Sequence, residues 1–138
     1  MNRFLIFLAF LSVVFVSCKE KSSPELVAER VMKAYLDCNL PEMETVASHD
    51  VVEQLRWRLS NMSQAERELL AENKPEVNAE SAELQEDGSY KVVLAVSDAL
   101  LLDSIGVPGH IDDCRYMLFL EKEEGTWEVT SVNLLFDK

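Results

Sequence analysis

Within Gly109-His110-Ile111-Asp112-Asp113-Cys114 this chain gathers an imidazole, two carboxylates and a thiol. All are transition-metal ligands. Their spacing matches no established ligand motif and no second cluster completes it, so a solvated turn is the simpler reading, and neither a metal nor another cofactor is expected. The other histidine, in Ser48-His49-Asp50, stands just ahead of a helix-like stretch and reads as surface or helix-start detail. Tyr35, Tyr90 and Tyr116 sit in apolar-periodic segments. Tyr116 could line a pocket with its hydroxyl, and with His110 it makes the candidate pocket pair, weighed against ordinary core packing. Trp57 and Trp127 likewise read first as packing. The chain has no glycine-rich phosphate loop, no Gly-x-Ser-x-Gly elbow and no His-Glu-x-x-His helix,.

The three cysteines separate into one near the start and two far apart. Residues 1–18 read MNRFLIFLAFLSVVFVSC, with Arg3 ahead of an apolar run from Phe4 to Val16, then Ser17 and Cys18. The run is shorter than the roughly 20 residues of a transmembrane helix and suits the roughly 7–15 of a signal-peptide core. Polar Lys19-Glu20-Lys21 follows at once. The segment resembles a bacterial lipoprotein signal peptide, although Phe15 stands where leucine is more usual. The alternatives are an uncleaved anchor or an ordinary secretory signal. The resemblance implies a signal peptide over 1–17, diacylglycerol on the sulfur of Cys18, a lipidated tether over 18–22 and a place in the bacterial cell envelope. Each buried methylene contributes about 0.8 kcal/mol, so two or more acyl chains hold stably. Lys19, rather than aspartate, after the cysteine favours the outer membrane by resemblance to bacterial sorting rules.

Cys38 and Cys114 then have one pairing open to them. An envelope compartment permits that disulfide, which would contribute about 4 kcal/mol for a loop of this length. The alternative is two separate buried thiols acting as small hydrophobes.

The chain carries 13 Lys+Arg against 25 Asp+Glu for a net charge of −12, and loss of Arg3 with the signal peptide makes it −13. Phosphate backbones repel such a surface, so nucleic acid is not expected as a partner. Docking onto anionic lipid through a basic face is equally disfavoured, which leaves the lipid on Cys18 as the membrane link. Residues 23–138 suffice for one domain burying about two-thirds of its unfolded surface.

Ser23-Pro24-Glu25 is a helix start, and Val27, Val31, Ala34, Tyr35 and Cys38 recur at helical spacing, predicting a helix over about 24–38,. Pro41 opens a second, Asp50 with Glu53 a third, and Ser63 with Glu66 a capping box for a fourth,. The period then changes to two. Strands are predicted over 77–84, 90–96, 115–121 and 127–136, with turns at Asp87-Gly88 and Glu124-Gly125,. Residues 98–113 form a long connection whose Leu100-Leu101-Leu102 should pack back onto the domain. Helices first and hairpins second argue for an α+β fold, with helices packed on one face of an antiparallel sheet.

This order, the Ser23-Pro24-Glu25 start and the late hairpin Gly125-Thr126-Trp127-Glu128-Val129 resemble the nuclear-transport-factor-2-like superfamily. The likeness is to small lipoproteins of Bacteroides-type bacteria carrying this cystatin-like roll. It covers roughly residues 23–136 and implies a cone-shaped roll, its curved sheet closed by helices around an apolar pocket. Members include isomerases and dehydratases as well as binding and dimerisation modules, so fold alone does not choose a function. The leading expectation is a non-catalytic, envelope-anchored binding module for a small apolar ligand or a protein partner, with a homodimer through the sheet face as one form of the latter. A lyase or isomerase using the cone as its active site and an accessory subunit of an envelope complex are the alternatives. Replacing Cys18 by serine should abolish incorporation of labelled fatty acid and leave the chain uncleaved, as read by metabolic labelling and mass; lipid labelling of the variant would defeat the lipoprotein reading.

Overall fold

The computed structural model describes residues 23–102 and 109–135. The signal segment, Cys18, the tether, residues 103–108 of the long connection and Phe136 lie outside the described residues.

Helix α1 (Pro24–Leu36) starts where Ser23 accepts a hydrogen bond from the Leu26 N–H, with Glu25 in the first turn and Lys33 in the last. Both charges suit the helix dipole. Ala28, Val31, Met32, Ala34, Tyr35 and Leu36 are buried. The helix closes in a Schellman motif: the Asn39 N–H donates to the Ala34 carbonyl at 2.8 Å, and the Cys38 N–H to that of Tyr35 at 3.2 Å,. The residue that turns left-handed there is Cys38, at φ 54°, in a position that glycine usually fills,.

Helix α2 (Leu40–Val46), capped by Asn39, is one short amphipathic piece that buries Met43. The chain beyond it is pinned: Ala47 bridges Val129, and the Ser48 N–H donates to the Val129 carbonyl at 2.9 Å. That contact holds Ser48 extended, so Ser48, accepting from the Val51 N–H, caps helix α3 (His49–Ser60). The Asp50–Glu53 start expected from the sequence is therefore displaced, and Asp50 lies in the first turn. Helix α3 buries Val51, Val52, Leu55 and Arg58. Trp57, expected to pack, is 57% exposed. Helix α4 (Gln64–Glu72) carries the expected capping box between Ser63 and Glu66.

Four strands follow as an antiparallel meander in sequence order: β1 (Glu76–Leu84), β2 (Tyr90–Leu101), β3 (His110–Glu123) and β4 (Thr126–Leu135). The β1–β2 and β3–β4 turns place Gly88 and Gly125 at φ +90° and +85°, where a side chain would be strained,. Register shifts at Ala79/Ser81, Val96/Ala99 and Phe119/Leu120 mark bulges, which bend and twist the sheet,. Helices packed on one face of a curved antiparallel sheet make this an α+β fold, as the element order predicts.

The long connection is shorter than expected. Strand β2 continues past Val96, and Ala99, Leu100 and Leu101 pair with Asp112, Ile111 and His110. The bulge makes this continuation feasible. Asp98 adopts φ 58°, and its N–H donates to Asp113 Oδ1 at 3.0 Å, after which the ladder resumes. Leu100, 1% exposed, enters the core from a strand rather than from a loop.

Inward positions Val92, Leu94 and Val96 of β2, Tyr116, Leu118 and Leu120 of β3, and Val129 and Val132 of β4 share one core with the buried faces of α1, α2 and α3. Glu66 ties α4 to the far side of the β2–β3 connection. Its Oε1 accepts from the Ser63 N–H and its Oε2 from the Gly109 N–H, each at 2.7 Å. A Cβ on residue 109 would lie 2.5 Å from that same oxygen, so a side chain there would push the Glu66 carboxylate out of this approach.

The bonds from Ser63, with further help from the Gly109 N–H and the Arg58 charge, hold the Glu66 carboxyl below its ordinary range. A depressed carboxyl stabilises the fold above its unfolded-state value, and that contribution fades as pH falls through the folded value. Glu66→Ala should therefore cost about 2 kcal/mol at pH 7, from a lost cap and a lost charge-assisted bond. In urea melts the gap from wild type should narrow below about pH 4; a pH-independent gap would mean that the carboxylate charge is not what holds the latch.

Candidate functional site

The inner face of α3 carries Val51, Leu55 and Arg58 at spacings of four and three, which places a guanidinium among apolar side chains,. Arg58 is 5% exposed. Its Nη2 donates to the Leu100 carbonyl at 2.7 Å, and its Cζ lies 5.2 Å from the Tyr35 ring centroid. Its Nε is buried with no hydrogen-bond partner. Among the described residues, no carboxylate forms an ion pair with it.

Around this charge sit neutral polar groups. Cys38, one turn beyond Tyr35, lies close enough to Arg58 for its thiol to feel the guanidinium charge. Tyr116 meets Tyr35 edge-on, with centroids 6.1 Å apart and planes at 67°. Tyr35 Oη accepts a long 3.5 Å bond from Gln54 Nε2, which also donates to the Val132 carbonyl. The Tyr116 hydroxyl forms no hydrogen bond among the described residues.

Burial sets the protonation states. It pushes the Cys38 thiol up, opposed by Arg58. Burial, then the charges of Asp112 and Asp113, push Cys114 up to about 11. Burial and the neighbouring Tyr35 push the Tyr116 hydroxyl far up. At neutral pH the cluster is thus one fixed positive charge beside protonated thiols and a protonated phenol.

The candidate pair from the sequence is not brought together. Tyr116 is buried on the inner face, whereas His110 is exposed at the start of β3, six residues and about 20 Å of strand away,. Asp112 and Asp113 are exposed and serve the backbone, accepting from the Asp113 and Asp98 N–H groups. Among the described residues no three His, Cys, Asp or Glu side chains gather as metal ligands. Cys38 and Cys114 are free thiols, both half-buried against the core, so the disulfide is not formed here. Cys18, the expected lipid site, lies outside the described residues.

Arg58 was the residue missed. Arg56, two residues earlier on the same helix, is exposed and pairs with Glu44 and Glu53. Extending the Val51–Leu55 spacing by three would have found Arg58.

The opposite sheet face has its own character. Outward positions Val93 of β2 and Met117 and Phe119 of β3 are half-exposed apolar side chains, and Val93 and Met117 are cross-strand partners. Among the described residues no helix covers them; the helices share the core on the other face. The two cations on this face are engaged by β1 carboxylates, Lys91 by Glu83 at 3.4 Å and Arg115 by Glu80 at 3.3 Å. A separate shallow groove of about 240 Å³ runs between Val27 and Arg30 of α1, Thr45 and Val46 of α2, and Trp127 of β4.

The architecture defines the chain as a small α+β protein, with, among the described residues, four helices followed by a four-stranded meander. The chain is similar in fold to the crystal structure of the intermembrane space region of chloroplast protein ARC6, with a TM-score of 0.50 and 11% identity over 83% of this chain and 98% of that one. At such low identity the likeness concerns the fold alone. No family model matches the chain, and no curated protein matches it.

Both thiols should be slow toward a maleimide at pH 7 in the folded protein, and both should react at once after denaturation without reductant. Mass spectrometry counts the adducts; finding neither Cys38 nor Cys114 alkylated in denaturant would mean that they are bonded to each other.

Proposed function

We propose that this chain is a lipoprotein of the bacterial cell envelope, held by lipid on Cys18 at the outer membrane, whose domain is a non-catalytic binding module of the nuclear-transport-factor-2-like kind. Its partner is a protein, docked on the open face of the sheet. The observation that carries this reading is the apolar row Val93, Met117 and Phe119 on a face that no described element covers. Single exposed apolar residues are ordinary, but a contiguous row across two central strands marks a contact surface. Because Glu83 and Glu80 take up its cations, that face presents apolar area rather than charge on a chain of net charge −12. Such a face suits another envelope protein or a second copy of this chain.

Binding is favoured over the lyase or isomerase reading by the protonation states around Arg58. A thiolate nucleophile and a phenolate base are both disfavoured there,. Among the described residues the helices are all too short or too polar to cross a membrane, which is compatible with attachment through Cys18.

A photo-crosslinking amino acid at position 119 tests the docking face in intact cells. It should give a discrete adduct, at twice the chain mass for a homodimer. The same probe at exposed Lys33 on α1 should give none. Met117→Glu should remove the adduct while changing stability by less than about 1 kcal/mol. Adducts from position 33 but not 119, or an adduct undiminished by Met117→Glu, would move the interface elsewhere.

A further inference from the structure

We propose that Arg58 anchors a second binding site, on the helix side of the sheet, for the carboxylate of a ligand whose remaining body is apolar. The site is independent of the docking face, which lies on the opposite side of β2 and β3.

The argument starts from the cost of a buried charge. A guanidinium moved out of water loses several kcal/mol of hydration unless hydrogen bonds and a counter-charge replace it. Arg58, 5% exposed, has replaced only part of it. The Leu100 carbonyl and the Tyr35 ring face are its described partners, and both are neutral. Its Nε–H is left without an acceptor. Nearby, Tyr116, a residue 4% exposed, carries a hydroxyl with no hydrogen bond among the described residues. An unspent charged donor, with an unengaged phenol near it, is complementary to one anionic oxygen group. Planar carboxylate matches the guanidinium fork.

Charge and surroundings narrow the class. Glu66 lies close enough for its carboxyl to feel Arg58, but both its oxygens are engaged by the Ser63 and Gly109 N–H groups. It cannot turn to Arg58 without breaking the α4 cap. Its standing negative charge disfavours a dianion, which selects a monoanion over phosphate. The groups around the guanidinium are the Tyr35 ring, Leu100, Tyr116 and two neutral thiols, so a ligand that reaches it must otherwise be apolar. Access is at the cysteine edge, because Cys38 and Cys114 are half-exposed where α1 ends. Cys38 holds a left-handed backbone there that glycine would adopt without strain,.

The test compares hexanoate with 1-hexanol, which shares the apolar chain and lacks the charge. The full chain, reconstituted in lipid nanodiscs, is titrated at pH 7 and followed by thermal shift and calorimetry. Hexanoate should bind and raise the melting temperature, and hexanol at equal concentration should not. Arg58→Gln should weaken hexanoate binding at least tenfold, and Tyr116→Phe several-fold, both with the native circular dichroism spectrum. Should Arg58→Gln fail to fold, Arg58→Lys replaces it: the charge stays, the fork is lost, and affinity should still drop several-fold. No hexanoate binding, equal effects of hexanoate and hexanol, or Arg58 variants that bind as wild type would each overturn the proposal. None of these outcomes bears on the crosslinks from position 119.

Discussion

An antiparallel meander has two faces, and the helices that precede it can cover only one. Alternation along β2 and β3 sends Val92, Leu94, Val96, Tyr116, Leu118 and Leu120 to a single layer beneath α1, and sends Val93, Met117 and Phe119 the other way. The rest of the molecule follows from that division. The inner layer needs a helical lid held in register, which two ties between distant parts of the chain supply. The Ala47–Ser48 segment is bonded to Val129, and Glu66 to Gly109. Each tie uses backbone groups that a connection would otherwise leave to water.

The seal of that layer at the end of α1 is polar. Arg58 bridges the Tyr35 ring and the Leu100 carbonyl, so it joins α1, α3 and β2 through one side chain. Dispersion and apolar burial do not require a guanidinium in this place; an aliphatic side chain would fill similar volume without the hydration penalty. Its charge, its unpaired Nε and the left-handed Cys38 near it are three departures from the most stable local choice, and they coincide. Local consistency is normally kept elsewhere in a fold and relaxed where a protein does something. In the proposed reading the two faces divide the work: an apolar outer surface for a protein and a charged inner corner for a small anion.

Signals confined to one turn or one strand were legible. Ser23 with Pro24, and Ser63 with Glu66, act within three or four residues, and both caps stand where the spacing puts them. The antiparallel order is likewise legible from turns such as Asp87-Gly88 joining alternating segments. Where a distant group intervened, local reading slipped. Val129 moved the start of α3 from Asp50 to Ser48, and the Asp98–Asp113 bond carried β2 and β3 through what reads as a loop. Trp57 and Arg58 are neighbours whose expected environments are reversed, because a helix rotates by about 100° per residue and α3 is anchored by Leu55,.

The amino-acid sequence alone determined the α+β class, the acidic surface and the order of elements, since these rest on composition, capping chemistry and hydrophobic period. Only the tertiary structure decided that Tyr116 and His110 part company, that Cys38 and Cys114 remain thiols, and that Arg58 becomes the charge at the heart of the inner corner. Burial of a polar group is a property of what packs against it. For Arg58 those groups come from α1 and β2, some 20 and 40 residues away in the chain, beyond the reach of any local pattern.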